Sequence, residues 1–143
     1  SMDVDYVVTV ETKGIPLAYE VAKSLGIELV IIRRENKVTE GPTVSINYLS
    51  GTSGRIQQMS LAKKSMKPSS RCVFIDDFLR GGGTAQGITD LLKEFDSELV
   101  GTGVLVDNVG VANKRVTDYV SIIDVEHISE DGKIKVTPSS LIK

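Results

Sequence analysis

The chain has no tryptophan, one cysteine and one histidine among 143 residues. A single cysteine cannot close an internal disulfide, which excludes a small cross-linked secreted scaffold and fits a reducing, cytoplasmic setting. Cys72 lies in an apolar run, where a thiol packs as a small hydrophobe. His127 has no cysteine or histidine at ligand spacing, and the acids are not gathered as a protein-made Mg²⁺ cage requires, so no protein metal site is expected. Aromatic residues make up 5% of the chain, which leaves the core mainly to aliphatic side chains. No apolar run approaches the roughly 20 residues of a membrane-spanning helix, and no signal peptide is visible, so no membrane partner is expected. Seventeen basic against nineteen acidic residues give a net charge of −2, so this segment lacks the basic surface with which a domain grips nucleic acid by itself.

What is present suits one globular domain. Hydrophobic residues at 41% and charged residues at 25% are ordinary proportions, and the length supports a sizeable core. Ser1-Met2 reads as a scar of tag removal, which leaves 3–143 as the domain. Because the chain then enters an apolar run at once, further sequence is expected on its N-terminal side.

The most informative segment is CVFIDDFLRGGGT, Cys72 to Thr84. Cys72, Val73, Phe74 and Ile75 read as a buried strand that leads into two adjacent carboxylates, Asp76 and Asp77. Gly81, Gly82 and Gly83 form a turn, and Ile88, Leu91, Leu92 and Phe95 follow at helical spacing. Strand, acidic pair, glycine turn and helix start build a seat for a phosphorylated sugar. Glycines let the backbone approach an anion, amides at a helix N-terminus point at it, and carboxylates accept bonds from a vicinal diol. A second strand-end loop, Glu11-Thr12-Lys13-Gly14, puts a cation beside another helix start.

The rest alternates. Tyr6–Val10 reads as a strand, and Leu17, Ala18, Val21, Ala22 and Leu25 mark a helix with Pro16 in its first turn and Gly26 at its stop. Ile27–Ile32 reads as a strand covered on both faces. Val44–Leu49 and Arg55–Leu61 read as a hairpin, and Lys63–Arg71 as a basic linker. Leu99–Val106 reads as a strand whose two glycines leave room for close packing, with a helix lying across them. Asp107–Val111 reads as loop, Asn113–Val120 as a short helix, Ser121–Val125 as a strand and Lys133–Thr137 as an edge element. Such alternation predicts an α/β fold, a mostly parallel sheet with helices on both faces, whose ligands sit beyond the carboxyl ends of the strands.

CVFIDDFLRGGGT resembles the motif by which type I phosphoribosyltransferases bind phosphoribosyl pyrophosphate (PRPP), and ETKG resembles their pyrophosphate loop. The resemblance implies the type I phosphoribosyltransferase fold, including a flexible β-hairpin. It implies that Asp76 and Asp77 hold the ribose hydroxyls and that Arg80, Gly81, Gly82, Gly83 and Thr84 cradle the 5-phosphate. Thr12, Lys13 and Gly14 would face the pyrophosphate, with Arg34 and Lys37 beside them. The hairpin, Lys37 to about Leu61, would close over the ligand and bring Tyr48 and Arg55. Mg²⁺ would arrive with PRPP, bridging pyrophosphate oxygens.

Over nearly the whole chain, and most specifically in KVTEGPTVSINY, the sequence is similar to the effector domain of the purine operon repressors of Gram-positive bacteria. That resemblance implies a homodimeric sensor that binds PRPP without transferring a base and reaches DNA only through a winged-helix domain absent from this chain. Guanosine tetraphosphate, which also carries a pyrophosphate, would compete. An active purine phosphoribosyltransferase of the xanthine or adenine type remains the alternative, since binding and catalysis share one phosphate cradle.

Overall fold

Tyr6–Val10 forms β1, and all five of its residues are buried. A strand so placed must be interior to the sheet and covered on both faces. The computed structural model describes residues 3–34, 41–50, 54–79, 82–108, 119–128 and 134–138. Within them β1 leads to helix α1 (Ile15–Leu25), β2 (Glu28–Ile32), β3 (Thr43–Leu49) and β4 (Ile56–Ala62). A single 3₁₀ turn, Lys63–Ser65, precedes β5 (Arg71–Leu79), helix α2 (Gly83–Lys93), β6 (Glu98–Asn108), β7 (Val120–Ile128) and β8 (Ile134–Pro138).

The main sheet has the order β2-β1-β5-β6-β7-β8. All its pairings are parallel except β7 with β8. Val8 lies between Val30 of β2 and Phe74 of β5, which sets the three strands in register. β3 and β4 form a separate antiparallel hairpin, with Tyr48 opposite Gln57. It is tied to the end of β2 by two backbone bonds between Arg33 and Ser60, at 2.9 and 2.7 Å.

Strand alternation sorts the core into two layers. Tyr6, Val8, Val10, Val30, Ile32, Cys72 and Phe74 face one side and pack with α2 and the hairpin through Ile88, Leu91, Leu92, Met59 and Leu61. Val7 and Val73 face the other side and pack with Ala18 and Ala22 of α1. Helices therefore cover both faces, as the alternation predicts. Each fully buried Leu, Ile or Phe contributes roughly 1.5–3 kcal/mol. The aromatic residues, though few, are concentrated in the first layer, which holds Tyr6, Tyr48, Phe74 and Phe95 alongside the aliphatic side chains. Cys72 is fully buried with its thiol 3.7 Å from Met66 Sδ, and burial first, then the charge of Asp5, pushes it up to about 11. Such a thiol stays protonated and packs.

Four expectations shift. β5 does not stop at the acidic pair but runs on to Leu79. Beside Gly101 and Gly103 the nearest groups are the Val73 and Ile75 side chains of β5, not a helix: a Cβ at Gly103 would stand 3.0 Å from Ile75 Cδ1. Asp107 and Asn108 belong to β6 rather than to a loop, and the buried Asp107 carboxylate accepts the Tyr119 hydroxyl at 2.6 Å. Val120 opens β7 instead of closing a helix, because it pairs with Gly103. Tyr119 is likewise not helical, and the remainder of that expected helix, 113–118, lies outside the described residues, as do Ser1 and Met2.

The hairpin is seated on α2 at Gly87, where a Cβ would lie 2.8 Å from Tyr48 Cβ and 3.0 Å from Met59 Cε. Overpacking of this kind costs roughly 1–3 kcal/mol. Gly87→Val is expected to lower the unfolding free energy by that amount, read in urea as a lower midpoint at an unchanged denaturant slope; an unaltered midpoint would mean the hairpin is not held there.

Candidate functional site

The carboxyl ends of β1 and β5 lie side by side, and each runs into a loop that opens a helix. From β1 the Glu11–Gly14 loop leads to α1, with Gly14 as its cap residue. From β5 the chain passes through 80–82 to α2, whose cap residue Gly82 has φ 77°, a left-handed conformation that favours glycine. Neither helix has a side-chain cap or an acidic residue in its first turn. Both N-termini therefore keep their positive dipole ends free of a carboxylate of their own, although in α1 the Ile15 amide donates to the Thr12 carbonyl at 3.2 Å and Pro16 has no N–H. Gly83 and Thr84 occupy the first turn of α2, so Thr84 is inside the helix rather than capping it. Arg80 and Gly81 lie outside the described residues.

Between the two loops sit Asp76 and Asp77. The Asp77 amide donates to Asp76 Oδ1 at 2.8 Å. Gly14 comes so close that a Cβ there would stand 2.6 Å from Asp76 Oδ1, 2.7 Å from Thr9 Oγ1 and 3.2 Å from Asp76 Cα. Only glycine allows this approach. Burial lifts the Asp76 carboxyl from its ordinary 3.8 to about 7, and a side-chain bond and negative charge from Asp77 add to the rise. The Asp77 amide and the Arg34 cation oppose it without cancelling it.

Arg34 is held by its surroundings. Its amide donates to Glu11 Oε1 at 2.7 Å and its Nε to the Glu11 carbonyl at 2.8 Å. Its Nη1 donates to Gln57 Oε1 at 3.4 Å, an oxygen that also accepts the Tyr48 hydroxyl at 3.2 Å. Arg33 pairs with Glu11 Oε2 at 3.4 Å. Glu11 thus braces the end of β2 against the loop after β1, and Gln57 joins the hairpin to both. Burial raises the Tyr48 hydroxyl pKa, with Arg34 lowering it and Asp76 raising it, so three elements meet in one electrostatic neighbourhood.

The expected residues are distributed unevenly. Thr12 and Lys13 are exposed on the first loop, and Gly14 is buried against Asp76. Arg34 stands beside that loop, whereas Lys37 lies outside the described residues. Tyr48 belongs to β3 and to the core rather than to an open loop, because its ring fills the space left by Gly87. Arg55 sits at the hairpin end, its carbonyl accepting the Ser50 amide at 2.9 Å. Two participants escape sequence reading. Thr9 could have been flagged as the polar residue inside the apolar strand Tyr6–Val10. Gln57 carries no such signal, since a glutamine on a hairpin is ordinary.

No three histidine, cysteine, aspartate or glutamate groups converge among the described residues as they would to hold an ion unaided. Among the same residues no helix is long and apolar enough to cross a membrane.

The phosphoribosyl transferase domain family matches residues 2–137. The chain belongs to that family. Within it, this phosphoribosyltransferase domain is 53% identical over 131 residues to the purine biosynthesis transcriptional repressor PurR of Bacillus subtilis, covering 92% of this chain and 46% of that protein. A purine biosynthesis transcriptional activator PurR from Lactococcus lactis is 42% identical over 87% of this chain and 46% of its own length. The xanthine phosphoribosyltransferase of Deinococcus deserti is 32% identical over 71% of this chain and 53% of its own. The domain spans about half the length of these curated relatives. Among solved structures, adenine phosphoribosyltransferase from Giardia lamblia, complexed with 9-deazaadenine, superposes with a TM-score of 0.77 at 22% identity over 88% of this chain and 72% of that one. The type I phosphoribosyltransferase fold expected from the two motifs is thereby shown.

The carboxyl of Asp76 carries a pH signature. Because the folded state binds this proton more tightly than the unfolded chain, stability falls as pH rises from 3.8 to about 7 and then levels. Asp76→Asn removes that dependence. Its stability relative to the parent is expected to be near parity at pH 4 and to gain on the order of a few kcal/mol by pH 8, measured by urea denaturation at both pH values. An advantage that does not grow with pH would show the carboxylate is not buried against its neighbours.

Proposed function

We propose that this domain binds PRPP as the effector of a purine-biosynthesis regulator and transfers no base. The observation that carries the reading is the pairing of two helix N-termini, neither with a side-chain cap, across one acidic pair. Two anion seats flank a diol acceptor, which suits a sugar charged at both ends. Asp76 and Asp77 accept the ribose hydroxyls, and Gly82, Gly83 and Thr84, with Arg80 and Gly81, take the 5-phosphate. Thr12, Lys13 and Gly14 take the pyrophosphate, with Arg34 and Lys37 adding charge.

Mg²⁺ comes as part of the ligand. The acidic pair is too sparse for an all-protein cage, and a hard cation that keeps its waters suits pyrophosphate oxygens. It neutralises the pyrophosphate so that the anion can enter the cleft.

Identity favours a regulator: the purine regulators match at 42–53%, the Deinococcus enzyme at 32%. One such relative is named a repressor and another an activator. The sign of regulation would then depend on the rest of the protein and the promoter, while the domain reports ligand. The rest of that protein supplies DNA binding, the working unit is a homodimer, and the compartment is the cytoplasm. Guanosine tetraphosphate, with its own pyrophosphate, competes for the same seats. The second reading, an active xanthine- or adenine-type phosphoribosyltransferase, is favoured by the match to the Deinococcus enzyme and by the intact cradle.

Calorimetry with Mg²⁺ and PRPP is expected to show saturable binding that guanosine tetraphosphate displaces and that Asp77→Asn weakens by roughly 1–3 kcal/mol. Mixing protein, PRPP and each purine base in turn should yield no nucleotide or pyrophosphate. Steady turnover with any base would establish the enzyme instead, and the absence of PRPP binding would end both readings.

A further inference from the structure

Thr9 breaks a rule that the other described residues keep. Its Oγ1 is the only buried side-chain nitrogen or oxygen among them without a hydrogen-bond partner, and the residue is fully buried. An unmade bond of this kind costs roughly 1–3 kcal/mol, and valine has nearly the same shape without the cost. A hydroxyl kept under that penalty points to a state in which it is used.

Its surroundings identify the partner. Thr9 precedes the last residue of β1, directly beneath the cap residue of α1. Thr9 Oγ1 and Asp76 Oδ1 crowd the same point, 2.7 and 2.6 Å from where a Cβ of Gly14 would be. Two oxygens so placed lie no more than 5.3 Å apart, so a χ1 rotation of Thr9 or one bridging water is what a link between them requires. Asp76 is already supported on one side by the Asp77 amide. The charged and titratable groups around it are Asp77 on its own strand, Arg34 at the end of β2 and Tyr48 from β3. The first turn of α1 adds no acid, and Thr9 is the uncharged donor on the β1 side.

We propose that Thr9 is a positioning residue: its hydroxyl turns to donate to the charged Asp76 carboxylate, directly or through one water, and sets the orientation in which that carboxylate receives a sugar hydroxyl. The second half rests on the PRPP reading above; the hydroxyl–carboxylate link does not. Before Asp76 is charged the hydroxyl has no strong acceptor, and it stays unpaired. When the proton leaves Asp76, the new negative charge makes the bond worth forming. Thr9 would therefore oppose the rise that burial imposes on Asp76.

The test compares the parent with Thr9→Val and Thr9→Ser. In the ligand-free protein, the Asp76 carboxyl carbon is followed by NMR against pH. Thr9→Val is expected to move its midpoint upward by on the order of half to one pH unit, and Thr9→Ser to restore it. Thermal stability of Thr9→Val below the midpoint should equal or exceed the parent's, because an unpaired hydroxyl has been removed. A residue that merely filled space would leave the titration alone. With Mg²⁺ and PRPP at pH 7, Thr9→Val should bind about fivefold to tenfold more weakly, and Thr9→Ser as the parent does. An unchanged Asp76 midpoint in Thr9→Val would overturn the link, whatever the ligand data say. A raised midpoint in a parent that ignores PRPP would uphold the link and defeat the functional reading instead. Should valine disturb folding, Thr9→Ala gives the same titration with the same expected sign.

Discussion

Gly14 cannot carry a side chain, because Asp76 Oδ1 and Thr9 Oγ1 already occupy the space where one would begin. That single close approach brings the loop after β1 onto the acidic pair of β5. It makes one cleft out of two strand ends that are far apart in sequence. The approach depends in turn on the parallel pairing of β1 with β5, which points both carboxyl ends the same way. An antiparallel pairing of the same strands would place the two loops at opposite edges of the sheet.

Around this contact the site is braced from three directions. Glu11 ties Arg33 and Arg34 to the first loop, and Gln57 ties Arg34 and Tyr48 to the hairpin. Tyr48 is in turn locked against α2 by the missing side chain of Gly87. A continuous chain of contacts thus runs from the loop after β1 through the hairpin to α2, the route a displacement of that loop would have to take. Packed elements with discrete arrangements transmit such displacements well, because cores resist continuous deformation. For a domain proposed to report occupancy to a distant partner, such rigid continuity is useful. For an enzyme it would equally hold reacting groups in place. The regulator reading rests on the graded identities together with the cradle.

Much of the framework was legible before any coordinates. The run CVFIDDFLRGGGT contains its own strand, acids and helix start within thirteen residues, so local periodicity was enough to place it. The hairpin and α1 were legible for the same reason. The segment after Val106 read less well. Gly101 and Gly103 suggested an overlying helix, yet the space is taken by Val73 and Ile75, a relation between neighbouring strands that no local pattern encodes. Asp107 looks like the start of a loop because it is charged, but Tyr119, twelve positions on, accounts for its burial.

From its amino acids alone, the protein determined most of its strands and helices as far as Val106, that they alternate into a mostly parallel sheet, and that an acidic pair precedes a glycine turn. These follow from interactions between near neighbours: side-chain period, backbone freedom at glycine and the fixed φ of proline. Only the folded arrangement decided that Asp76 would be partly buried beside Asp77, which raises its carboxyl toward neutrality, that Arg34 would be held by Glu11 and Gln57, and that Thr9 would lack a partner. Each of those is a matter of dielectric and distance between groups tens of residues apart, and the chain acquires such distances only when the sheet closes.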